Sequence, residues 1–159
     1  MAKLKQEYVN EGFFGIGIVN NVTELNIGTL WRSAFIMGAS FIFTVDKKYK
    51  PQSSDVTKSW SKIPLYHYKS IEELKDNLPF STQLIGVELV ENAIALDQFV
   101  HPLQAAYLLG NEQIGLSQKI LDKCHAVVKL PGNFSLNVAV TGSIIVYDRA
   151  TKMPRELPK

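Results

Sequence analysis

Ala105-Ala106-Tyr107-Leu108-Leu109-Gly110-Asn111-Glu112-Gln113-Ile114-Gly115-Leu116-Ser117 passes from an unbroken apolar run into a glycine-bounded, mostly polar turn. A short apolar run closed by glycine reads as a fully buried strand, and Ser117 opens a short helix to Lys123. Strand, loop and helix in this order belong to an α/β protein, whose ligands sit just beyond the carboxyl ends of parallel strands. Gly110 and Gly115 permit close backbone approach at that place.

Working outward, His125 to Leu130 reads as the last strand, followed by Pro131-Gly132-Asn133-Phe134-Ser135-Leu136-Asn137-Val138. The segment from Leu136 to about Arg149 is helical and apolar nearly all round, which predicts burial on every side. Small residues Ala139, Gly142 and Ser143 admit a close neighbour, and a second copy of the same helix is the simplest cover. Ser135 or Asn137 is placed to cap it. Asp148-Arg149, near its end, reads as a surface charge pair.

Upstream, Phe13 to Val19 is a buried strand ended by Asn20-Asn21. Asn26 reads as a helix N-cap. Ile27, Leu30, Trp31, Ala34 and Phe35 then form one apolar stripe, with Gly38 just past the helix end. Arg32 lies off that stripe. Ser40 to Val45 and Ile63 to Tyr68 read as strands around a polar surface loop, Asp46 to Lys62. That loop carries Lys47, Lys48, Lys50, Lys58, Trp60 and Lys62. Taken alone it is a solvated loop; in an RNA-binding protein it could meet phosphates and stack on a base. Ser70-Ile71-Glu72-Glu73 is a capping box opening a helix to about Leu78. Gln83 to Leu89 completes the strands, and Pro154 to Lys159 reads as a loose tail. One α/β domain over residues 1–159, with a mainly parallel sheet flanked by helices, is the expectation.

Composition narrows the function classes. At 46% hydrophobic and 20% charged the chain is ordinarily globular. A net charge of +2 argues against tail-driven nucleic-acid binding, while leaving room for a local basic patch or a dimer that pools two. The single Cys124 excludes an intrachain disulfide and suits a small core residue; His67, His101 and His125 lack metal-ligand spacing, so no metal site is expected. Met1-Ala2-Lys3-Leu4-Lys5-Gln6-Glu7-Tyr8 is charged and unlike a secretory signal, and no run approaches a membrane span. A cytoplasmic protein with no membrane partner is expected. Gly12, Gly15 and Gly17 fall in or before a strand, so they make no dinucleotide fingerprint, and no Walker A pattern is present. A nucleotide-binding α/β domain of another class is thereby disfavoured.

Three segments together carry a resemblance: Asn26-Ile27-Gly28-Thr29-Leu30-Trp31-Arg32, Leu108-Leu109-Gly110-Asn111-Glu112-Gln113-Ile114-Gly115-Leu116, and Leu130-Pro131 followed by Ser135-Leu136-Asn137-Val138. The set resembles the motifs of the SpoU (TrmH) family of SPOUT RNA ribose 2′-O-methyltransferases, from about Gly15 to Arg149. The resemblance implies S-adenosylmethionine as cofactor, a C-terminal trefoil knot, and a homodimer through the last helix. It implies catalytic-site roles for Asn26, Arg32, Glu112, Ser135 and Asn137, with Glu112 fixing Arg32 or a catalytic loop. It implies cofactor contacts from Glu88, Leu89, Leu109, Gly110, Leu130, Ser135 and Leu136. A guanidinium keeps its proton, with a pKa above about 12. Arg32 is therefore expected to bind a phosphate and stabilise a developing alkoxide rather than act as a base. Only Gly132, Asn133 and Phe134 separate Pro131 from Ser135, a shorter spacer than the family's usual one, which bears on the substrate-side loop. The minimal architecture resembles members that modify tRNA more than those that modify ribosomal RNA. The rival expectation is a non-catalytic knotted RNA-binding protein.

Overall fold

A computed structural model describes residues 12–20 and 23–159. The charged segment Met1–Tyr8 and the strand-ending Asn21 lie outside them. Seven strands form one sheet: β1 (Phe13–Val19), β2 (Phe41–Val45), β3 (Leu65–Tyr68), β4 (Gln83–Val87), β5 (Ile94–Ala95), β6 (Gln104–Leu109) and β7 (Ala126–Lys129). Their order is β3-β2-β1-β6-β4-β7-β5 and every pairing is parallel. The helices are α1 (Glu24–Ile36), α2 (Ile71–Asn77), α3 (Gln118–Leu121) and α4 (Val138–Lys152).

Alternation along each strand feeds two cores. Ile16, Ile18, Ile42, Tyr107 and Leu109 join Leu30, Trp31, Ala139, Ile145 and Val146 on the face covered by α1 and α4. Phe41, Phe43, Leu84, Ala106 and Leu108 join Ile71, Leu74 and Leu121 on the face covered by α2 and α3. Side chains two apart in a strand share a face, so burial on both faces requires the continuous apolar runs seen in the sequence.

Register places the functional edge. Ile18 on β1, Leu109 on β6, Val87 on β4 and Val128 on β7 stand in one row. The residues that follow that row, including Glu88, Gly110 and Lys129, therefore leave the sheet at the same edge. Because β6 inserts between β1 and β4, loops distant in sequence become neighbours.

Several expectations are corrected. The cap of α1 is Thr23, not Asn26, and Thr23 makes no side-chain capping bond. Asn26 sits in the first turn with its amide turned to another loop, so it is not free to cap. The two-residue β5 was absent from the sequence reading; it pairs only with β7. The Asp46–Lys62 segment is not merely solvated: Tyr49, Asp55 and Ser59 are buried within it. The tail, though irregular, rests against Gly38 through Leu157 and Arg155. Helix α4 buries one face within this chain and leaves the other open for the second copy expected to cover it. Val138, Ala139, Gly142, Ile145, Val146 and Arg149 face inward, while Val140 and Tyr147 are 47% and 59% exposed. Ser70 caps α2, its Oγ accepting from Glu73 N at 3.1 Å, while Glu73 Oε2 reaches one residue past the cap to accept from Lys69 N. Cys124 is half-buried, and burial pushes its thiol up to about 11, so it stays protonated as a packing residue.

Asp148 and Arg149 do not form a surface pair. Arg149 is 3% exposed and donates to the carbonyls of Pro102 and Leu103 (2.7 and 2.9 Å) and to Tyr107 Oη (3.0 Å). Arginine only donates, so the tyrosine hydroxyl turns its own proton to His101 Nδ1 at 2.6 Å. The neutral imidazole then donates from Nε2 to Asp148 Oδ2 at 2.7 Å, and Lys152 Nζ joins that carboxylate at 2.8 Å. Burial holds His101 below the usual histidine range against the pull of Asp148, and pushes Tyr107 up to about 12. Above the unfolded value of about 6.5 the stabilisation is complete. As pH falls from there, the unfolded chain binds a proton that the folded chain refuses, and stability is lost towards the depressed folded value. The expected result is a Tm that drops between pH 7.5 and 5.5 by more in the wild type than in His101→Gln, read by circular dichroism.

Candidate active site at the carboxyl ends of β4, β6 and β7

Three loops enclose a cavity of about 510 Å³. They are the end of β4 (Glu88, Leu89), the β6–α3 loop (Gly110–Gly115) and the β7–α4 loop (Leu130–Asn137). All seven residues expected to contact a cofactor line it: Glu88, Leu89, Leu109, Gly110, Leu130, Ser135 and Leu136. Val87, Ile114, Lys129, Phe134 and Thr141 line it too. Of these the sequence reading missed Lys129 and Thr141, although Lys129 directly follows the common row of strand ends.

The β6–α3 loop is shaped by two side chains. Asn111 Oδ1 accepts from Gln113 N and Ile114 N at 2.7 and 2.9 Å, closing a tight turn. Glu88 Oε2 accepts from Leu116 N at 2.7 Å and its Oε1 accepts from Leu89 N at 2.9 Å. Gly115 has φ +63°, and a Cβ there would stand 2.3 Å from Glu88 Oε2. Glycine at this position thus lets the β4 carboxylate clamp the loop. Glu88 lines the cavity, but both its oxygens accept backbone N–H groups.

A hydrogen-bonded chain joins the three sequence segments. Glu112 Oε1 accepts from Asn26 Nδ2 at 2.7 Å and from Thr23 N at 3.4 Å. Its carboxylate thereby takes over at the N-terminus of α1, where Thr23 supplies no side-chain cap and negative charge is favourable. Asn26 Oδ1 accepts from Asn137 Nδ2 at 3.1 Å. Asn137 caps α4, its Oδ1 accepting from Ala139 N and Val140 N at 2.9 and 3.2 Å. Of the two capping candidates, Asn137 does the capping. Ser135 is exposed at the cavity, and its hydroxyl has no hydrogen-bond partner among the described residues.

Arg32 is placed apart. It is exposed on α1, about 9 Å along the axis from Asn26 at 1.5 Å per residue. It does not line the cavity, and Glu112 bonds Asn26 where the sequence reading also allowed Arg32. Glu112, Ser135 and Asn137 line the cavity; Asn26 reaches it through Glu112 and Asn137. Among the described residues no group of three or more His, Cys, Asp or Glu could hold a metal ion, and no helix is long and apolar enough to cross a membrane.

The profile of the SpoU rRNA methylase family matches residues 15–147. A Staphylococcus aureus protein named for the TrmH family of tRNA/rRNA methyltransferases is 27% identical over 157 residues, covering 91% of this chain and 62% of the relative. The tRNA (cytidine/uridine-2′-O-)-methyltransferase TrmJ of Sodalis glossinidius is 27% identical over 139 residues, covering 77% and 54%. This chain thus spans less than two thirds of the length of either relative. Among solved structures, the AdoMet-bound rRNA methyltransferase of Sinorhizobium meliloti superposes with a TM-score of 0.80 at 22% identity, over 91% of this chain and 58% of that one. That likeness establishes the fold, and with the profile match over most of its length the chain belongs to the SpoU rRNA methylase family.

Proposed function

We propose that this chain transfers a methyl group from S-adenosylmethionine to a ribose 2′-hydroxyl of RNA, tRNA being the favoured substrate and ribosomal RNA the alternative. The observation that carries the reading is the cavity beyond β4, β6 and β7, tied by Glu112, Asn26 and Asn137 to the helix bearing Arg32. Membership of the family supports the reaction class, and the TrmJ relative supports tRNA.

The lining fits the cofactor. Its volume lies in the ordinary range for small-molecule sites, roughly 300–1,000 Å³. Leu89, Leu109, Leu130 and Leu136 offer an apolar wall for an adenine. Its charged members are Glu88, Glu112 and Lys129, an acidic excess suited to a sulfonium cation and unsuited to a polyphosphate. When bound, S-adenosylmethionine supplies an electrophilic methyl group and a neutral thioether leaving group.

The chain's own residues then need to align and stabilise more than to exchange protons. Ser135, with a free hydroxyl at the cavity, orients the ligand's polar end. Glu112, Asn26 and Asn137 hold the α1 and α4 N-termini in fixed relation. Arg32 binds a phosphate beside the target ribose and stabilises the alkoxide developing on the 2′-oxygen, whose proton leaves to solvent water. A C-terminal trefoil knot and a homodimer across the exposed Val140 and Tyr147 face of α4 belong to the same proposal, as does a cytoplasmic setting. So does the operation of the whole chain as one methyltransferase domain.

The test supplies labelled S-adenosylmethionine with unmodified tRNA and, separately, ribosomal RNA. Label in 2′-O-methylated nucleotides of tRNA supports the full reading, and such label in ribosomal RNA alone supports the reaction while overturning the substrate. Calorimetric cofactor binding without transfer to either favours the non-catalytic RNA-binding rival, and absence of cofactor binding overturns the function.

A further inference from the structure

We propose that residues 47–62 form a built RNA-backbone surface flanking Arg32, docked onto α1 through a notch at Gly28. The inference rests on the RNA methyl-transfer reading above.

Charge is the first observation. Between Lys47 and Lys62 the chain carries five lysines and one aspartate, a formal +4 in a chain totalling +2, so the remainder is net negative. The aspartate, Asp55, is 2% exposed and turned inward, accepting from Ser59 N at 2.9 Å and from Ser59 Oγ. The five lysines are all exposed, and none pairs with a carboxylate among the described residues. Lys58 holds a left-handed backbone (φ +50°), uncommon for a residue with a side chain. Trp60, 38% exposed, stands between Lys58 and Lys62 as a stacking face.

Docking is the second observation. A Cβ at Gly28 would stand 2.1 Å from Ser54 Oγ, 2.8 Å from Gln52 Cβ and 2.9 Å from Asp55 N. The segment thus lies directly on the α1 backbone, and Ser54 Oγ donates to Leu25 O at 2.7 Å. Two turns further along α1, Lys62 Nζ lies 5.1 Å from the centre of the Phe35 ring. Gly28, Arg32 and Phe35 fall at i, i+4 and i+7, on one helix face. The segment touches the first and last of these, so Arg32 lies between its two points of attachment. Gly28 therefore has a physical reason beyond helix packing: it lets the lysine-bearing segment settle beside the arginine.

The test uses the full chain with two probes, an unmodified tRNA transcript pool and a short single-stranded RNA. In Lys58→Ala/Lys62→Ala the Kd for both rises about tenfold, and the slope of log K against log salt falls by about 0.7 per lysine on the single strand. Affinity for S-adenosylmethionine, read by calorimetry, stays unchanged. Gly28→Ala removes no charge and is expected to weaken RNA binding while leaving cofactor affinity intact, because the segment must lift. Unchanged RNA affinity and salt slope in the lysine variant overturn this inference alone. A wild-type chain that binds neither RNA overturns both the inference and the function beneath it.

Discussion

Arg32→Ala is expected to lower methyl transfer to RNA by about 10²–10³-fold, the size of the loss when one preorganised electrostatic donor is removed from a developing oxyanion. Affinity for S-adenosylmethionine is expected to stay at the wild-type value. The separation follows from geometry: the arginine is exposed on α1 and absent from the cavity lining, so its removal leaves the cofactor's contacts in place. It also leaves the fold in place, because α1 packs through Ile27, Leu30, Trp31 and Ala34. Arg32→Lys should recover only part of the turnover, since an ammonium keeps the charge but loses the planar fork that grips a phosphate. Steady-state kinetics with calorimetry reads both quantities. Full turnover in Arg32→Ala would exclude the assigned role, and loss of cofactor binding would show that the arginine acts through the cavity.

The second large effect is on stability. Arg149→Met removes a buried guanidinium that serves the carbonyls of Pro102 and Leu103 and the hydroxyl of Tyr107, and lies 5.1 Å over the Phe14 ring. Methionine fills much of the volume but donates nothing. The acceptors it abandons stay buried, and breaking such a network costs about 3–5 kcal/mol. For a domain of this size that lowers Tm by roughly 10 °C. Lys159→Ala removes an exposed pair with Glu156 and should move Tm little, since such pairs contribute about 0–1 kcal/mol. Thermal melts followed by circular dichroism compare the two directly; a shift in Arg149→Met no larger than that in Lys159→Ala would refute the network's role.

The sheet was legible because buried parallel strands need continuous apolar runs, and β1, β2, β4, β6 and β7 each have one. Strand β5 carries no such signal. Two residues, one of them 43% exposed, make no period. The start of α1 was misplaced for a non-local reason: its N-terminus is satisfied by Glu112, 89 residues from Thr23 in sequence, and no local pattern announces that. Asn26 looked like a cap because asparagine usually serves as one, yet its amide is spent on Glu112 and Asn137.

Arg149 was different, since a signal was present and was overridden by its charge. Gly142, Ile145, Val146 and Arg149 fall at i, i+3, i+4 and i+7, and that stripe is the buried one. The apolar opposite face, with Val140 and Tyr147, hid the stripe because no polar face set it off. At the site, the cavity residues were found because each lies at or just beyond a strand end in a recognised segment. The link from Asn137 through Asn26 to Glu112 could not be found that way, because it depends on β6 lying between β1 and β4.

The acceptor in the proposed reaction is a ribose hydroxyl. The most direct measurement of this is alkaline hydrolysis of RNA labelled by the wild-type chain, because a 2′-O-methyl group blocks cleavage at its own phosphodiester. The label is expected to run with alkali-resistant dinucleotides. Label confined to base-methylated mononucleotides would contradict it.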